Sequence, residues 1–428
     1  MSDPAKLLVA EVLSIGDELI HGSNLDTNAR WLANLLELHG ASVQRFTVVG
    51  DDPVQLESAM RDACTRADLV IATGGLGPTL DDRTRDVVAA IAGGPLWFHA
   101  PSWQLVQDYL GARQRPVPAS NRRQAEFPPG ATVLHNPIGT APGFRLRLLR
   151  AELFAFPGVP REMKRMAEDW LLPHLNSLPS QQPVAQVCLC VLGPSEALLG
   201  ERIEPFMVAG REPAVGITAS GGLLTIRIVG RGRDAAAAAA ACEGTAVEIR
   251  PLLADWLVAE GTEALHVLLG RRLLAANVSV ALAESCTGGL LAAKLTEVPG
   301  ISAVFRGGVV AYANEAKTDL LGVGAALLQQ HGAVSEPVAA AMAKGAAQRL
   351  RARLGVSVTG IAGPGGGTPE KPVGTVCFGV CLDGVVTTWT RHLPDLGREF
   401  LRERAAFELL AAIFRNVPLP AETGRGAT

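Results

Sequence analysis

The chain has 428 residues, of which 48% are hydrophobic and 5% aromatic, and its formal net charge is −3. This length predicts two or three domains with sizeable cores. A charge so close to neutral excludes a protein that binds nucleic acid through bulk positive charge.

The cysteines and the apolar runs indicate a cytoplasmic protein. The seven cysteines are scattered without a Cys-x-x-Cys pair, and residues 1–6 form no apolar signal segment. We therefore expect reduced thiols and no secretion. The most apolar candidate for a membrane span is interrupted by Arg271 and Arg272, so no membrane association is expected.

The first domain is predicted to alternate strands with helices. Strands are expected over residues 7–15, 43–49 and 68–73, with a helix that presents Trp31 and Leu35 after the first and a helix over 53–66 after the second. Short loops between such elements are typical of a doubly wound, mostly parallel α/β sheet. Sheets of this kind bind ligands beyond the carboxyl ends of their strands.

Two loops at these strand ends carry acidic residues and glycines. Asp17 follows the first strand, whereas Gly74, Gly75 and Gly77, with Asp81 and Asp82, follow the third. The glycines can form a nest of N–H groups for a phosphate, and the carboxylates suit Mg²⁺, Mn²⁺ or Co²⁺. Alternatively, an aspartate caps the next helix and the glycines only turn the chain. Two acidic loops at adjacent strand ends favour a site for a nucleotide diphosphate.

The middle of the chain changes character after residue 178. A proline-bounded linker over 179–183 precedes a predicted strand over 184–192 and a helix over 195–208 that Ser195 caps. A hairpin around Gly221-Gly222 and an alanine-rich helix that begins near Asp234 follow. These elements predict a small α+β unit.

The third domain is again predicted to be α/β. A helix with leucines at helical spacing opens it. The further expected elements are strands over 278–282, 309–312 and 356–358, a helix toward Leu321, a helix over 335–350, a hairpin over 373–380 and 385–391 turned at Asp383-Gly384, and a closing helix over 400–414. Residues from 418 onward are predicted to be disordered.

Three loops of this domain favour catalysis. Ser285 and Lys317 each follow a predicted strand, and a glycine-rich loop over 360–367 follows a third. By itself Ser285 is either a helix cap or a nucleophile, and a lysine is usually a solvated surface residue. A serine, a lysine and a phosphate cradle together favour a serine hydrolase that acts on a phosphorylated small molecule. The lysine must then be neutral, which requires burial or a nearby cation such as Arg306.

Cys286 is the alternative nucleophile. None of the three loops contains a histidine that would activate its thiol. The serine is therefore favoured.

Several segments resemble the CinA (competence/damage-inducible) family. Residues 284–289, 312–317, 332–335 and 359–364 are similar to its C-terminal domain, and residues 16–19, 26–28, 73–82, 136–143 and 157–163 to its molybdopterin-binding-like N-terminal domain. The middle unit resembles a KH-like domain but lacks the Gly-x-x-Gly loop that clamps RNA, so we expect a spacer or dimerisation unit. The predicted domains are 1–177, 178–260 and 261–418, with a tail over 419–428.

For the C-terminal domain, the resemblance implies a nicotinamide mononucleotide deamidase, a Ser/Lys amidohydrolase that needs no metal. Ser285 would be the nucleophile, Lys317 the base and Ser302 part of a proton relay, while Tyr312 either orients the lysine or ring or packs at a strand end. The residues expected to bind the oxyanion, the substrate or its phosphate are Thr287, Gly288, Gly289, Arg306, Thr359, Gly360, Gly363, Gly365 and Gly366.

For the N-terminal domain, the resemblance implies a metal-dependent ADP-ribose pyrophosphatase that yields AMP and ribose 5-phosphate. The expected ligand contacts are Asp17, Asp81 and Asp82 for the metal or pyrophosphate, and Gly74, Gly75, Gly77, Asn28 and Asn136 for the substrate. A homodimer acting on small nucleotides is expected. The alternative is a non-catalytic nucleotide- or molybdopterin-binding protein that serves as a partner in competence or DNA damage; near-neutral charge argues against a DNA-binding role.

Overall fold

The structure, a computed structural model, describes residues 8–178 and 183–416. Residue contacts divide the chain into two compact units, Met1–Gln186 with Val229–Thr245 and Val187–Ile228 with Ala246–Thr428. Most of the predicted linker and the whole predicted tail lie outside the described residues. Within those residues, none of the helices is both long and apolar enough to cross a bilayer.

The N-terminal domain is built on a six-stranded sheet. Its strands are β1 (Leu8–Ile15), β2 (Ala41–Val49), β3 (Leu69–Thr73), β6 (Thr132–Leu134), β7 (Gly143–Leu148) and β8 (Ala151–Phe156). The order is β2-β1-β3-β8-β7-β6. The first four strands in that order run parallel, β7 is antiparallel to β8, and β6 is antiparallel to β7. The short strands β4 (Trp97–Phe98) and β5 (Glu126–Phe127) pair separately. The predicted mostly parallel sheet is confirmed.

Helices cover both faces of this sheet. They are α1 (Asp17–Ile20), α2 (Thr27–Leu38), α3 (Pro53–Arg66), α4 (Thr84–Ala92), α5 (Ala100–Gly111), α6 (Pro160–Met166) and α7 (Leu172–Ser177). Side chains alternate across a strand, so Leu13 and Ile15 of β1 enter one core while Ala10 and Val12 enter the other. This two-sided burial explains why the central strands are apolar at nearly every position.

The middle domain is a four-stranded sheet with two helices. Its strands are β9 (Val184–Val191), β10 (Ala214–Ser220), β11 (Leu223–Arg231) and β12 (Leu257–Glu260), in the order β10-β11-β9-β12, and its helices are α8 (Glu196–Ile203) and α9 (Ala235–Leu253). The Ser195 hydroxyl accepts a hydrogen bond from the Leu198 N–H, as a cap does. The predicted cap and hairpin are confirmed, but α8 is shorter than expected.

The C-terminal domain has a mixed five-stranded sheet. Its strands are β13 (Val280–Glu284), β14 (Phe305–Val310), β15 (Leu354–Gly360), β16 (Thr375–Leu382) and β17 (Val385–His392), in the order β14-β13-β15-β16-β17. The first three in that order are parallel and the last two form the predicted antiparallel hairpin. Its helices are α10 (Leu265–Ala275), α11 (Leu290–Thr296), α12 (Asn314–Leu321), α13 (Ala325–His331), α14 (Glu336–Arg349) and α15 (Arg398–Asn416).

Two strands that flank the expected catalytic loops have bounds different from those predicted from the sequence. The strand expected over 278–282 is β13, which reaches Glu284, and the strand expected over 309–312 is β14, which ends at Val310. Gly307 and Gly308 lie inside β14, and glycine is depleted in strands, which concealed its first half. Tyr312 consequently lies in a loop beyond the strand.

Gly345 tests the packing of α14 against α12. A Cβ at Gly345 would lie 2.0 Å from the Leu321 carbonyl oxygen. Alanine normally stabilises a helix by about 1 kcal/mol over glycine, but forced overpacking costs about 1–3 kcal/mol. We therefore expect Gly345→Ala to lower the thermal unfolding midpoint of its domain. Gly244→Ala in α9 is the control, because a Cβ added there would meet no neighbouring atom within 4 Å, and it should raise the midpoint of its domain. An upward shift of the same size for Gly345→Ala would contradict the tight contact.

Candidate functional site

Ser285 stands at the first position after β13. Its N–H donates to the Val358 carbonyl at 2.9 Å, which continues the pairing of β13 with β15, and the chain then turns before α11. The turn requires glycine, because Gly288 and Gly289 have φ values of 63° and 95°. The sheet thus holds Ser285 at its carboxyl edge, as the sequence predicts.

The side chain of Lys317 contacts that of Ser285 at this edge of the sheet. Lys317 lies in the first turns of α12, and its Nζ is 3.2 Å from Ser285 Oγ. The same Nζ donates to the carbonyls of Ala311, at 2.9 Å, and Tyr312, at 3.2 Å. Ser285 is 8% exposed and Lys317 only 1%, so the alternative of a solvated surface lysine is wrong.

The surroundings of Lys317 favour a neutral amine. Burial lowers its pKa, while the nearby Cys286 and Glu315 act in the opposite direction. A neutral amine has two N–H groups and one lone pair. The two carbonyls can accept the N–H groups, so the lone pair is left to accept the Ser285 O–H, which is the arrangement of a general base and its nucleophile.

Cys286 does not have the properties of a nucleophile. Burial raises the pKa of its thiol to about 12, so the thiol stays protonated near neutral pH. Its sulfur packs against Gly360, where an added Cβ would lie 3.1 Å from Sγ and 2.9 Å from a methyl of Val376. Gly360 therefore serves close packing at the end of β15.

Glu284 fills the start of α11. Its carboxylate accepts hydrogen bonds from the N–H groups of Gly289 at 3.0 Å, Leu291 at 3.1 Å and Ala292 at 2.9 Å. The expectation that the Gly289 N–H binds an oxyanion or the substrate is thus wrong. The Gly288 N–H is also engaged, with the Ser285 carbonyl. In the described part of the chain, no oxygen accepts from the N–H groups of Cys286 and Thr287, which lie beside the Cys286 sulfur.

Two arginines of α15 reach the same site and were missed from the sequence. Arg398 donates to the Tyr312 hydroxyl at 2.6 Å and to the Gly363 carbonyl at 2.9 Å, and Arg402 donates to the Thr287 carbonyl at 2.9 Å. Their spacing of four residues puts both on one helix face, which is the signal that the sequence offered. Tyr312 is 59% exposed, so it does not pack at a strand end.

The glycine-rich loop is bonded at its base and has unpaired N–H groups farther out among the described residues. Thr359 is buried at the end of β15, and its hydroxyl donates to the Ala333 carbonyl, so its side chain is structural. Backbone bonds between Ile361 and residues 374–375 close the base of the loop. Farther out, the N–H groups of Gly365 and Gly366 have no acceptor among residues 8–178 and 183–416. They remain candidates for phosphate binding.

Ser302 and Arg306 lie at the opposite end of the sheet. Both are exposed, and Phe305 of β14 pairs with Val280 at the amino end of β13, whereas Val310 pairs with Glu284. At about 3.3 Å per residue, Arg306 is about 13 Å from the carboxyl edge. The expectation that these two residues join Ser285 and Lys317 is therefore not met within this chain.

In the N-terminal domain, carboxylates converge where β1 and β2 end. The N–H of Asp17 donates to the Asp51 carboxylate and the N–H of Asp51 donates to the Asp17 carboxylate, both at 3.0 Å. Burial raises the pKa of Asp51, and the negative charges of Asp17, Asp81 and Glu18 add to this. Asp51 was missed from the sequence because its loop has no glycine-rich motif.

The loop over 74–82 satisfies most of its own polar groups. The Asp82 carboxylate accepts from the Gly77 N–H at 2.6 Å and the Thr79 N–H at 2.8 Å, and the Gly74 N–H donates to the Phe156 carbonyl. The predicted phosphate nest is thus wrong for Gly74 and Gly77, and both oxygens of the Asp82 carboxylate are engaged in capping the loop. Gly75 is needed for packing, since a Cβ there would lie 2.2 Å from Thr84 Oγ1.

The two predicted asparagines differ. Asn136 donates to the Ala141 carbonyl and Glu162 carboxylate and accepts from the Ile138 N–H, so its role is structural. Asn28 donates to Thr73 and Gly158, but its buried Oδ1 has no partner among the residues that the structure describes. Asn28 thus retains an acceptor for a ligand.

A metal group is not preassembled here. No three Asp, Glu, His or Cys side chains stand together as metal ligands in the described ranges 8–178 and 183–416. Asp17, Asp51 and Asp81 nevertheless supply hard oxygen donors, and a cation beside Asp51 would offset the negative charge that Asp17 and Asp81 place near it.

Comparisons with known proteins cover the whole architecture. The family model of the CinA C-terminal domain matches residues 262–417, that of the probable molybdopterin binding domain 11–177, and that of the damage-inducible protein CinA KH domain 188–259. A CinA-like protein of Anaeromyxobacter sp. (strain Fw109-5) is 44% identical over 407 residues, which cover 94% of this chain and 98% of the relative. The chain belongs to the CinA family.

Other members of the CinA family are also similar. A putative competence-damage inducible protein of Halothermothrix orenii is 39% identical over 89% of this chain and 92% of its own length. A crystal structure of the competence/damage inducible protein CihA from Agrobacterium tumefaciens has 42% identity and covers 36% of this chain and 97% of its own, with a TM-score of 0.35.

The burial of Lys317 predicts a pH-dependent stability. Between its lowered pKa and the ordinary value of 10.5, the unfolded chain binds more protons than the folded one, so the stability of the wild type rises with pH. Lys317→Met lacks this group. We expect this variant to be more stable than the wild type at neutral pH, by roughly 1.4 kcal/mol per unit of pKa lowering, and to lose that advantage toward pH 10.5.

Thermal unfolding across this pH range measures the difference. Lys344→Met, at an exposed position of α14, is the matched control and should keep a constant offset from the wild type. A constant offset for Lys317→Met as well would contradict the neutral buried amine.

Proposed function

We propose that the C-terminal domain hydrolyses the carboxamide of nicotinamide mononucleotide to give nicotinic acid mononucleotide and ammonia. The observation that carries this proposal is the buried Lys317 Nζ, 3.2 Å from Ser285 Oγ and fixed by two backbone carbonyls. Membership of the CinA family supports it.

The chemistry proceeds through an acyl-enzyme. Ser285 Oγ attacks the carboxamide carbon while its proton passes to Lys317 Nζ. Lys317 then protonates the amide nitrogen, the C–N bond breaks and ammonia leaves. A water molecule attacks the acyl carbon, and Lys317 accepts its proton. When the C–O bond to Ser285 breaks, that proton returns to Oγ and the carboxylic acid product is released.

Other donors of the site are assigned further roles in this proposal. The N–H groups of Cys286 and Thr287 are our proposed oxyanion donors, in place of Gly288 and Gly289. The proposed phosphate donors are the N–H groups of Gly365 and Gly366 with the guanidinium of Arg398, which replaces Arg306 in this role. Arginine suits phosphate because its planar fork forms two parallel hydrogen bonds.

Ammonia release from nicotinamide mononucleotide, measured with a chelator present, tests the deamidase. Ser285→Ala and Lys317→Met should each lower kcat by at least about 10³-fold, because each removes one half of the nucleophile–base pair. Cys286→Ala is the matched control beside Ser285 and should retain most of the activity. Release by folded Ser285→Ala at the wild-type rate, or none by folded wild type, would refute the proposal and leave a binding role.

We also propose that the N-terminal domain cleaves the pyrophosphate of ADP-ribose with a divalent cation. The supporting observation is that Asp17 and Asp51 lie side by side, each with its N–H donating to the other's carboxylate at 3.0 Å. Burial raises the pKa of Asp51, and the negative charges of Asp17, Asp81 and Glu18 add to this. Asp17 and Asp51 would hold the cation, with Asp81 within electrostatic reach. A bound cation would neutralise charge on the pyrophosphate. Asp82 has no part in this proposal, because its oxygens cap the loop.

Formation of AMP from ADP-ribose, with Mg²⁺, Mn²⁺ or Co²⁺ supplied in turn, tests this second activity. Asp17→Asn should lower the rate by at least about 100-fold, because the amide keeps the hydrogen bond from the Asp51 N–H but loses the charge. Deamidation should stay unchanged, since its residues belong to the other domain. Loss of both activities in Asp17→Asn would count against separate sites.

A further inference from the structure

Glu284 is an unusual residue to find beside a catalytic serine. It is 1% exposed, and both of its carboxylate oxygens accept backbone N–H groups: Oε2 those of Gly289 and Leu291, and Oε1 that of Ala292. Burying a carboxylate is expensive, and helix starts are ordinarily capped by the shorter Ser, Thr, Asp or Asn. A short residue at position 284 would not span the intervening turn to reach α11.

The turn is held from its other side as well. Arg402 of α15 donates to the Thr287 carbonyl at 2.9 Å. The Glu284 carboxylate and the Arg402 guanidinium therefore both bond to the backbone of the same short segment. The Ser285 N–H and Gly288 N–H are fixed by the carbonyls of Val358 and Ser285. From Ser285 to Gly289, the N–H groups of Cys286 and Thr287 are the ones left without an oxygen acceptor among the described residues.

We infer that Glu284 is a positioning residue that, together with Arg402, holds the turn so that Ser285 Oγ and the Cys286 and Thr287 N–H groups face one reacting carbonyl. This inference rests on the proposed function. Glu284 touches neither the substrate nor Lys317 in this role. It also prevents the start of α11 from binding an anion, because it occupies the N–H groups there.

The role predicts a specific kinetic pattern. Glu284→Gln keeps the size of the side chain but has one acceptor oxygen, so its NH₂ group must face at least one of the three N–H groups and the turn shifts. A displacement of about 1 Å at a reacting group lowers a rate about 100-fold. We expect kcat to fall by about this factor, with KM changed less than about threefold. The acid limb of the pH–rate profile should not move, because the Glu284 carboxylate bonds to the N–H groups of Gly289, Leu291 and Ala292 and exchanges no proton in this role.

Two assays on the full chain separate this inference from the proposed function. One is ammonia release from nicotinamide mononucleotide over a range of pH. The other is covalent labelling of Ser285 by a fluorophosphonate, followed by intact mass, in which the serine oxygen displaces fluoride from phosphorus. Labelling reports the reactivity of the turn whether or not the nucleotide is the substrate.

Glu11→Gln is the matched control. Glu11 is 2% exposed and accepts two hydrogen bonds from Arg66 in the N-terminal domain, so this variant also loses a buried carboxylate. It should lose stability but label at the wild-type rate. Arg402→Met removes a partly exposed side chain and provides a second test if Glu284→Gln does not fold; its labelling should slow by about tenfold.

Slow labelling and a lowered kcat with an unmoved acid limb support the inference. Labelling of folded Glu284→Gln or Arg402→Met at the wild-type rate overturns it, and so does a shifted acid limb, which would place Glu284 in the proton chemistry. If the wild type labels at Ser285 but releases no ammonia, the proposed function fails, and the labelling series still decides the role of Glu284.

Discussion

The C-terminal domain depends on one buried amine. Lys317 is almost completely buried, yet within residues 8–178 and 183–416 its Nζ bonds to Ser285 and two backbone carbonyls and to no carboxylate. An ammonium in such a place is disfavoured by desolvation, so the fold itself prepares the amine to accept a proton. The loop between β14 and α12 supplies both carbonyls. The segment that leads into the helix of Lys317 therefore also orients its amine.

The two candidate sites are organised in opposite ways. In the C-terminal domain, Lys317 Nζ already lies 3.2 Å from Ser285 Oγ, and the N–H groups of Gly365 and Gly366 have no acceptor in the part of the chain that the structure describes. In the N-terminal domain, the loop over 74–82 bonds to itself through Asp82 and to the sheet through Gly74, and Arg123 bonds to Thr79 and Asp82 from outside. An anion there would find no ready-made glycine nest at Gly74 and Gly77, and in our proposal it would be met through a cation beside Asp17 and Asp51.

Much of this could be predicted from the sequence, because strand–helix alternation and loop position are local signals. The parallel sheets and the placing of Ser285 and Lys317 at strand ends follow from them. The contacts of Arg398 and Arg402 could not be predicted, since they depend on where α15 packs. The bonds of Glu284 could not be predicted either, because they require a buried side chain to reach across the following turn to the start of α11. Ser302 and Arg306 were misassigned because a motif match does not say at which end of β14 a residue lies. Glycines 74 and 77 were misinterpreted because close packing and phosphate binding favour the same residue.

Helix α15 contacts two loops that lie about a hundred residues earlier in the chain. Its Leu401, Ala405 and Leu409 belong to the main core of this domain, while Arg398 and Arg402, on the same helix, contact the loops around the nucleophile. Chains fold as they leave the ribosome, from the N-terminus onward. A nascent chain that already contains Ser285, Lys317 and the glycine-rich loop therefore still lacks both part of its core and two site contacts until this last helix emerges.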